Sequence, residues 1–224
     1  MFQHLRVFAL LLCAFAPAAC TPEKPRADLI FIQSAEPETI DPALASDQVS
    51  MRISSSLFEG LCRVTAEGKP EPGMAERWDI SADKKTYTFH LRTGIAWTNG
   101  TPVTAHDFAD SWRRVLTPGT GADYANLMFI IRGARAFSEG QEKDFSKVGV
   151  TALNEKTLRI ELENPTPYFI DLCSFVTLSP VSLKSIRQHD TAWIKPQNIV
   201  TNGAYLLEDW KLDDHIRLKK NPHY

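Results

Sequence analysis

The side chains able to do chemistry here are six histidines, four cysteines and a scatter of carboxylates, and their spacing decides what they can do together. His106 and Asp107 stand side by side at the start of a predicted helix. Neighbours one residue apart on a helix point in different directions, so this pair suits capping and the helix dipole better than acid–base catalysis. The histidines show no metal-ligand spacing. There is no Gly-x-Ser-x-Gly elbow, phosphate-cradling glycine loop, His-Glu-x-x-His or Cys-x-x-Cys. A triad assembled from distant segments would leave no such trace. Nothing in the pattern nominates one, and the expectation is a protein without catalysis, cofactor or metal.

Charge excludes another class. A net charge of −2 and a pI near 6.3, with no lysine or arginine run, leave no electrostatic footprint for nucleic acid. With 224 residues, 43% hydrophobic and 23% charged, the chain has the apolar material for one or two domains.

The cysteines speak about compartment. Arg6 precedes an apolar run at 7–16 that is too short to span a bilayer, so residues 1–19 read as a signal peptide. Ala18-Ala19-Cys20 resembles a bacterial lipobox, although Pro17 stands where leucine is usual. Cys20 is then a lipidation site anchoring the protein to a bacterial membrane, and ordinary cleavage near Ala18 is the alternative. Residues 20–26, rich in proline and charge, read as a linker. Cys62 and Cys173 remain in an oxidising compartment, where a disulfide is possible. Their apolar neighbours favour two separate thiols acting as small core residues.

The clearest elements lie at 86–116. Tyr87, Phe89 and Leu91 alternate with polar residues, the pattern of a strand with one buried face. Asn99-Gly100 marks a tight turn. Thr104 and Asp107 read as a short-armed capping box, ahead of Phe108, Trp112, Val115 and Leu116 on one helical face, and Pro118-Gly119 ends the helix. Elsewhere, the continuous apolar run Leu29-Ile30-Phe31-Ile32 predicts a central, doubly buried strand. A long loop follows at 34–48. Asp47 or Ser50 caps a helix carrying Val49, Ile53 and Leu57, with Gly60 as its stop. Segment 79–85 reads as a polar turn, 124–137 as a helix closed by Gly140, and 148–162 as a hairpin. A short helix after Pro167 and another at 182–189 come next, then two strands at 203–207 and 215–219.

Leu91-Arg92-Thr93-Gly94-Ile95-Ala96-Trp97-Thr98-Asn99-Gly100-Thr101-Pro102-Val103-Thr104-Ala105-His106-Asp107-Phe108 resembles the signature of the extracellular solute-binding proteins that feed peptide ABC transporters. Glu38-Thr39-Ile40-Asp41-Pro42, Leu57-Phe58-Glu59-Gly60-Leu61, Pro72-Gly73-Met74-Ala75-Glu76-Arg77-Trp78 and Ile199-Val200-Thr201-Asn202-Gly203-Ala204-Tyr205 are similar to that family in the same order. The resemblance implies an α/β fold: a mixed-sheet, periplasmic binding protein-like lobe (27–57 with 182–224), an inserted α+β subdomain (58–181), and a second lobe absent from this sequence. It implies peptides and the membrane subunits of an ABC permease as partners, in the periplasm. Ser46, Asp47 and Gln48 match the segment whose backbone pairs with the peptide, and the trio equally reads as a solvated helix cap. Tyr124 matches an aromatic residue lining the cleft, and equally reads as a packed aromatic at a helix start. Asn202-Gly203 resembles a turn where glycine lets backbone come close to ligand or to another strand. The alternatives are a truncated remnant, an interaction or sensory module, or another solute such as a dipeptide or metal chelate.

Overall fold

The computed structural model describes residues 27–224; the expected signal peptide at 1–19, the expected linker at 20–26 and the expected lipidation site Cys20 lie outside the described residues. These fall into two units, 27–33 and 34–224. In the first, the expected strand is not formed. Leu29, Ile30, Phe31 and Ile32 are 83%, 79%, 61% and 89% exposed. An apolar run becomes a buried strand only when other strands hydrogen-bond it on both edges, and residues 29–32 belong to none of the sheets among the described residues.

The second unit is built around one four-stranded antiparallel sheet. It opens with α1 (Gln48–Leu57) and a small hairpin, β1 (Cys62–Val64) with β2 (Pro70–Pro72). Then come β3 (Ala75–Ile80), β4 (Thr86–Leu91), α2 (Ala105–Leu116) and α3 (Ala134–Ser138). β5 (Val150–Asn154) and β6 (Thr157–Glu161) complete the sheet in the order β3-β4-β6-β5. The chain ends through α4 (Phe169–Leu172), α5 (Leu183–His189) and the pair β7 (Tyr205–Lys211) with β8 (His215–Lys220).

The alternation in β4 does what its spacing dictates. Tyr87, Phe89 and Leu91 are buried, with Phe89 opposite Leu158 and Tyr87 opposite Ile160 of β6. α2 packs on β5 and β6, burying Phe108, Trp112 and Leu116 completely; each such side chain contributes roughly 1.5–3 kcal/mol. Trp112 Nε1 is satisfied by the Leu178 carbonyl at 2.8 Å. Asn99-Gly100 sits in the expected turn: Gly100 N–H donates to the Trp97 carbonyl, Trp97 N–H to the Thr101 carbonyl, and only Gly100 takes positive φ (81°). This is a turn closed by a glycine bulge. The capping box is complete, Thr104 Oγ1 accepting from Asp107 N–H and Asp107 Oδ2 from Thr104 N–H at 2.7 Å.

Three local expectations change. Residues 75–80 are a strand, β3, whose edge position leaves four of six residues exposed and removes any alternation. The predicted helix at 124–137 is two pieces, a 3₁₀ segment Ala125–Ile130 and α3. Between them Ile131 bridges to Leu162 and Gly133 takes φ of 71°, which a continuous helix cannot accommodate. α1 ends at Phe58 in an extended conformation, ahead of Gly60.

A second apolar cluster gathers Ile40, Ile53, Leu57, Phe58, Val181, Trp193 and Leu207, with Ile216 and Leu218 against it. Gly203 packs on the α1 end of this cluster. Its N–H donates to the Leu57 carbonyl at 2.8 Å, and a Cβ there would lie 2.6 Å from the Leu57 carbonyl carbon. The close approach that glycine allows is thus to another stretch of backbone. Cys62 and Cys173 are free and buried, as two separate thiols. Burial, helped by the Asp171 charge, pushes the Cys62 thiol up to about 12.

Candidate functional site

The loop leading to α1 is shaped by its own polar side chains. Asp41 precedes Pro42, which biases it to an extended conformation. Its Oδ1 accepts from Ala43 N–H at 3.0 Å, and its carbonyl accepts from Leu44 and Ala45 N–H. Asp47, extended at φ −90° and ψ 158°, is the N-cap of α1, with Oδ1 accepting from Val49 and Ser50 N–H at 2.9 and 2.8 Å. Burial works against its charge, yet the hydrogen bonds from Ser50 and Val49 outweigh it and hold the carboxyl below its ordinary value. The capping reading therefore holds for the Asp47 side chain.

The backbone on either side of Asp47 has a different character. Among the described residues, the N–H groups of Ser46 and Gln48 donate to no protein acceptor. Ser46 and Gln48 therefore leave two main-chain donors open, one on each side of the extended Asp47, the second at the start of α1.

Tyr124 belongs to the same place. Its hydroxyl donates to the Ser46 carbonyl at 3.5 Å, so the structure brings together two of the residues matched by resemblance. Its ring meets Phe175 edge-on, with centroids 5.2 Å apart at 80°. Phe175 is half-buried; in the sequence it reads, with Leu172, only as an apolar neighbour of Cys173. Only the contact across the fold reveals it.

Two cavities lie elsewhere, and neither is lined by Ser46, Asp47, Gln48 or Tyr124. One of about 490 Å³ is bordered by Ile80, Lys84, Tyr87, Pro165 and Pro167. The other, about 320 Å³, includes Glu59, Arg63, Arg92, Asn202 and Tyr224. Burial raises the Glu59 carboxyl above its usual value, against the hydrogen bond from Tyr224 and the charges of Arg63 and Arg92. Among the described residues no group of three or more His, Cys, Asp or Glu side chains is placed to hold a metal ion.

Known proteins resemble this chain over most of its length. The model of the bacterial extracellular solute-binding proteins, family 5 (middle region), matches residues 69–224. The oligopeptide-binding protein OppA of Bacillus subtilis is 42% identical over 191 residues, covering 84% of this chain and 35% of that protein. The probable deoxycholate-binding periplasmic protein YgiS of Escherichia coli is 37% identical over 218 residues, 96% of this chain and 40% of that protein. The crystal structure of Haemophilus influenzae OppA in complex with RPPGFSPFR superposes with a TM-score of 0.80 at 36% identity, over 85% of this chain and 37% of that one. The chain thus spans well under half the length of these relatives.

Proposed function

The chain belongs to the bacterial extracellular solute-binding proteins of family 5, and we propose that it serves in capturing peptides outside the inner membrane for delivery to an ABC permease, without catalysis. The observation that carries this reading is the pair of uncommitted N–H groups at Ser46 and Gln48, next to Tyr124, whose hydroxyl reaches the Ser46 carbonyl. A carrier of varied peptides must draw its affinity from the one part all peptides share, the main chain. An extended peptide laid along 46–48 as an added strand does this. Tyr124 and Phe175 then provide an apolar wall that any side chain can approach.

The relatives named for oligopeptides, and the one holding RPPGFSPFR, support a peptide ligand. Their greater length supports enclosure between two lobes, which supplies buried area and excludes water from the main-chain bonds. The division into residues 27–57 with 182–224 and an inserted part at 58–181 is supported as far as residues from 40–57 and 183–218 share one apolar cluster. A periplasmic location is in keeping with the family, and attachment through a lipid on Cys20 would hold the protein at the membrane.

YgiS prompts the competing ligand class. A bile acid would use the aromatic wall but has no series of peptide carbonyls to meet two main-chain donors. Amide-resolved NMR titration of the chain with tetraalanine and, separately, with deoxycholate, each carried to millimolar concentration so that the weak binding left to one open face is registered, tests the choice. Peptide binding predicts that the Ser46 and Gln48 amide signals move on adding tetraalanine. A response to deoxycholate alone would replace peptide with a bile acid as the ligand.

A further inference from the structure

Arg114 stands at the C-terminal end of α2, far from Ser46 in sequence, yet it reaches both halves of the candidate site. Its guanidinium forks onto Asp41, Nη1 donating to Oδ1 at 3.0 Å and Nη2 to Oδ2. The pair is withdrawn from water, the Asp41 side chain 3% exposed and that of Arg114 18%. The same carboxylate takes the Ala43 N–H, and the Asp41 carbonyl takes those of Leu44 and Ala45, so the next residue with a backbone donor to spare is Ser46. On the other side, the Arg114 carbonyl accepts from Thr120 Oγ1 at 2.6 Å, in the connection that leads to Tyr124. Asp41 is fixed from a third direction as well: Thr39 Oγ1 accepts its N–H, and Thr39 N–H donates to Ser50 Oγ in α1.

A buried ion pair is an uneconomical source of stability, because desolvation offsets most of the attraction. What a planar guanidinium does well is to set the direction of a carboxylate, through two parallel bonds. We infer that Arg114 and Asp41 are positioning residues for ligand binding: the guanidinium holds the turn at 41–45 so that the Ser46 and Gln48 N–H groups stay aligned beside Tyr124. Neither residue touches the ligand. This inference rests on the peptide reading above.

Tetraalanine titrations of Asp41→Asn, Arg114→Lys and the double variant, each at a temperature where circular dichroism shows it folded, test the inference. Arg114→Lys keeps the charge and loses the fork, so it remains informative where Asp41→Asn does not fold. Positioning predicts a loss of affinity of fivefold or more per folded molecule in each single variant. It also predicts shifted Ser46 and Gln48 amides in the free protein, and a double variant no worse than the poorer single one. Lower melting temperatures with unchanged affinity per folded molecule would overturn it, reducing the pair to a structural contact. If the wild type binds peptide without moving the Ser46 and Gln48 signals, or binds none, the peptide reading itself fails and this inference falls with it. Wild-type shifts at both amides, combined with unaltered variants, would remove the positioning role alone.

Discussion

Asn202 grips Glu59 by both of its backbone groups across 143 residues of sequence, Oδ1 accepting from the Glu59 N–H at 3.2 Å and Nδ2 donating to the Glu59 carbonyl at 2.8 Å. The next residue, Gly203, lies flat on Leu57, and Asn221 Nδ2 donates to the Gly203 carbonyl at 2.8 Å. Three stretches of chain meet at this point. Asn202→Ala leaves two partly buried backbone groups of Glu59 without this partner; water can reach them in part, so thermal or urea unfolding is expected to show a loss of about 1–3 kcal/mol. Gly203→Ala forces backbone apart and is expected to cost at least ~2 kcal/mol. A change within ~0.5 kcal/mol for either variant would mean that the junction is slack.

The Thr104 cap makes the opposite kind of claim, a role in stability with none in binding. Thr104→Ala loses the hydroxyl that accepts the Asp107 N–H, costing about 1 kcal/mol. Tetraalanine affinity at a temperature where both proteins are folded is expected to stay the same. A marked drop at equal folding would place this turn in the site.

These two cases also show what was legible in the sequence. The strand at 86–91 and the capping box of α2 are written in local spacing, because burial on one face and the caps depend on residues within a few positions of each other. β3 carries no such signal: it is an edge strand, with Glu76, Arg77, Asp79 and Ile80 exposed and a bulge between Ala75 and Arg77. The run Leu29 to Ile32 carries the signal without the strand, since apolar spacing states a preference that only partner strands can realise. Of the candidate site, the 46–48 backbone and Tyr124 came through family resemblance, and their physical pairing came from the fold. Phe175 and the Asp41–Arg114 fork, which joins residues 73 apart, are long-range contacts that composition and periodicity do not encode.

Glu59 supplies a pH test. Its folded carboxyl sits above the ordinary glutamate value, chiefly through burial, so the folded state binds the proton more tightly than the unfolded chain does. Stability from this group is greatest below the ordinary value, falls as pH rises from there through the raised value, and is flat beyond. The slope cannot exceed about 1.4 kcal/mol per pH unit for one group. Glu59→Gln is expected to flatten the stability profile in that window, measured by urea unfolding across mildly acidic pH. An unchanged profile would mean that Glu59 ionises as freely folded as unfolded.

Anchoring through Cys20 is tested by fractionation. A multiply acylated cysteine holds a protein at a membrane where a single chain does so only marginally. Cys20→Ser is expected to move the protein from the membrane to the soluble fraction, and a wild type already soluble with its N-terminus near Ala19 would contradict the anchor.

Backbone pairing at Gln48 is open to a substitution that removes one N–H and little else. Gln48 is the first residue of α1, the helical position proline tolerates best, and Asp47 before it already has the extended conformation that proline requires. Gln48→Pro should therefore keep the melting temperature within a few degrees, while Gln48→Ala controls for the side chain. If a peptide main chain pairs with this segment, NMR titration with tetraalanine will show Gln48→Ala binding like the wild type and Gln48→Pro about tenfold more weakly, the worth of a lost hydrogen bond whose acceptor stays unpaired. Equal affinity for the proline variant and the wild type would show that no peptide bonds to the Gln48 N–H, and would contradict strand addition at this site.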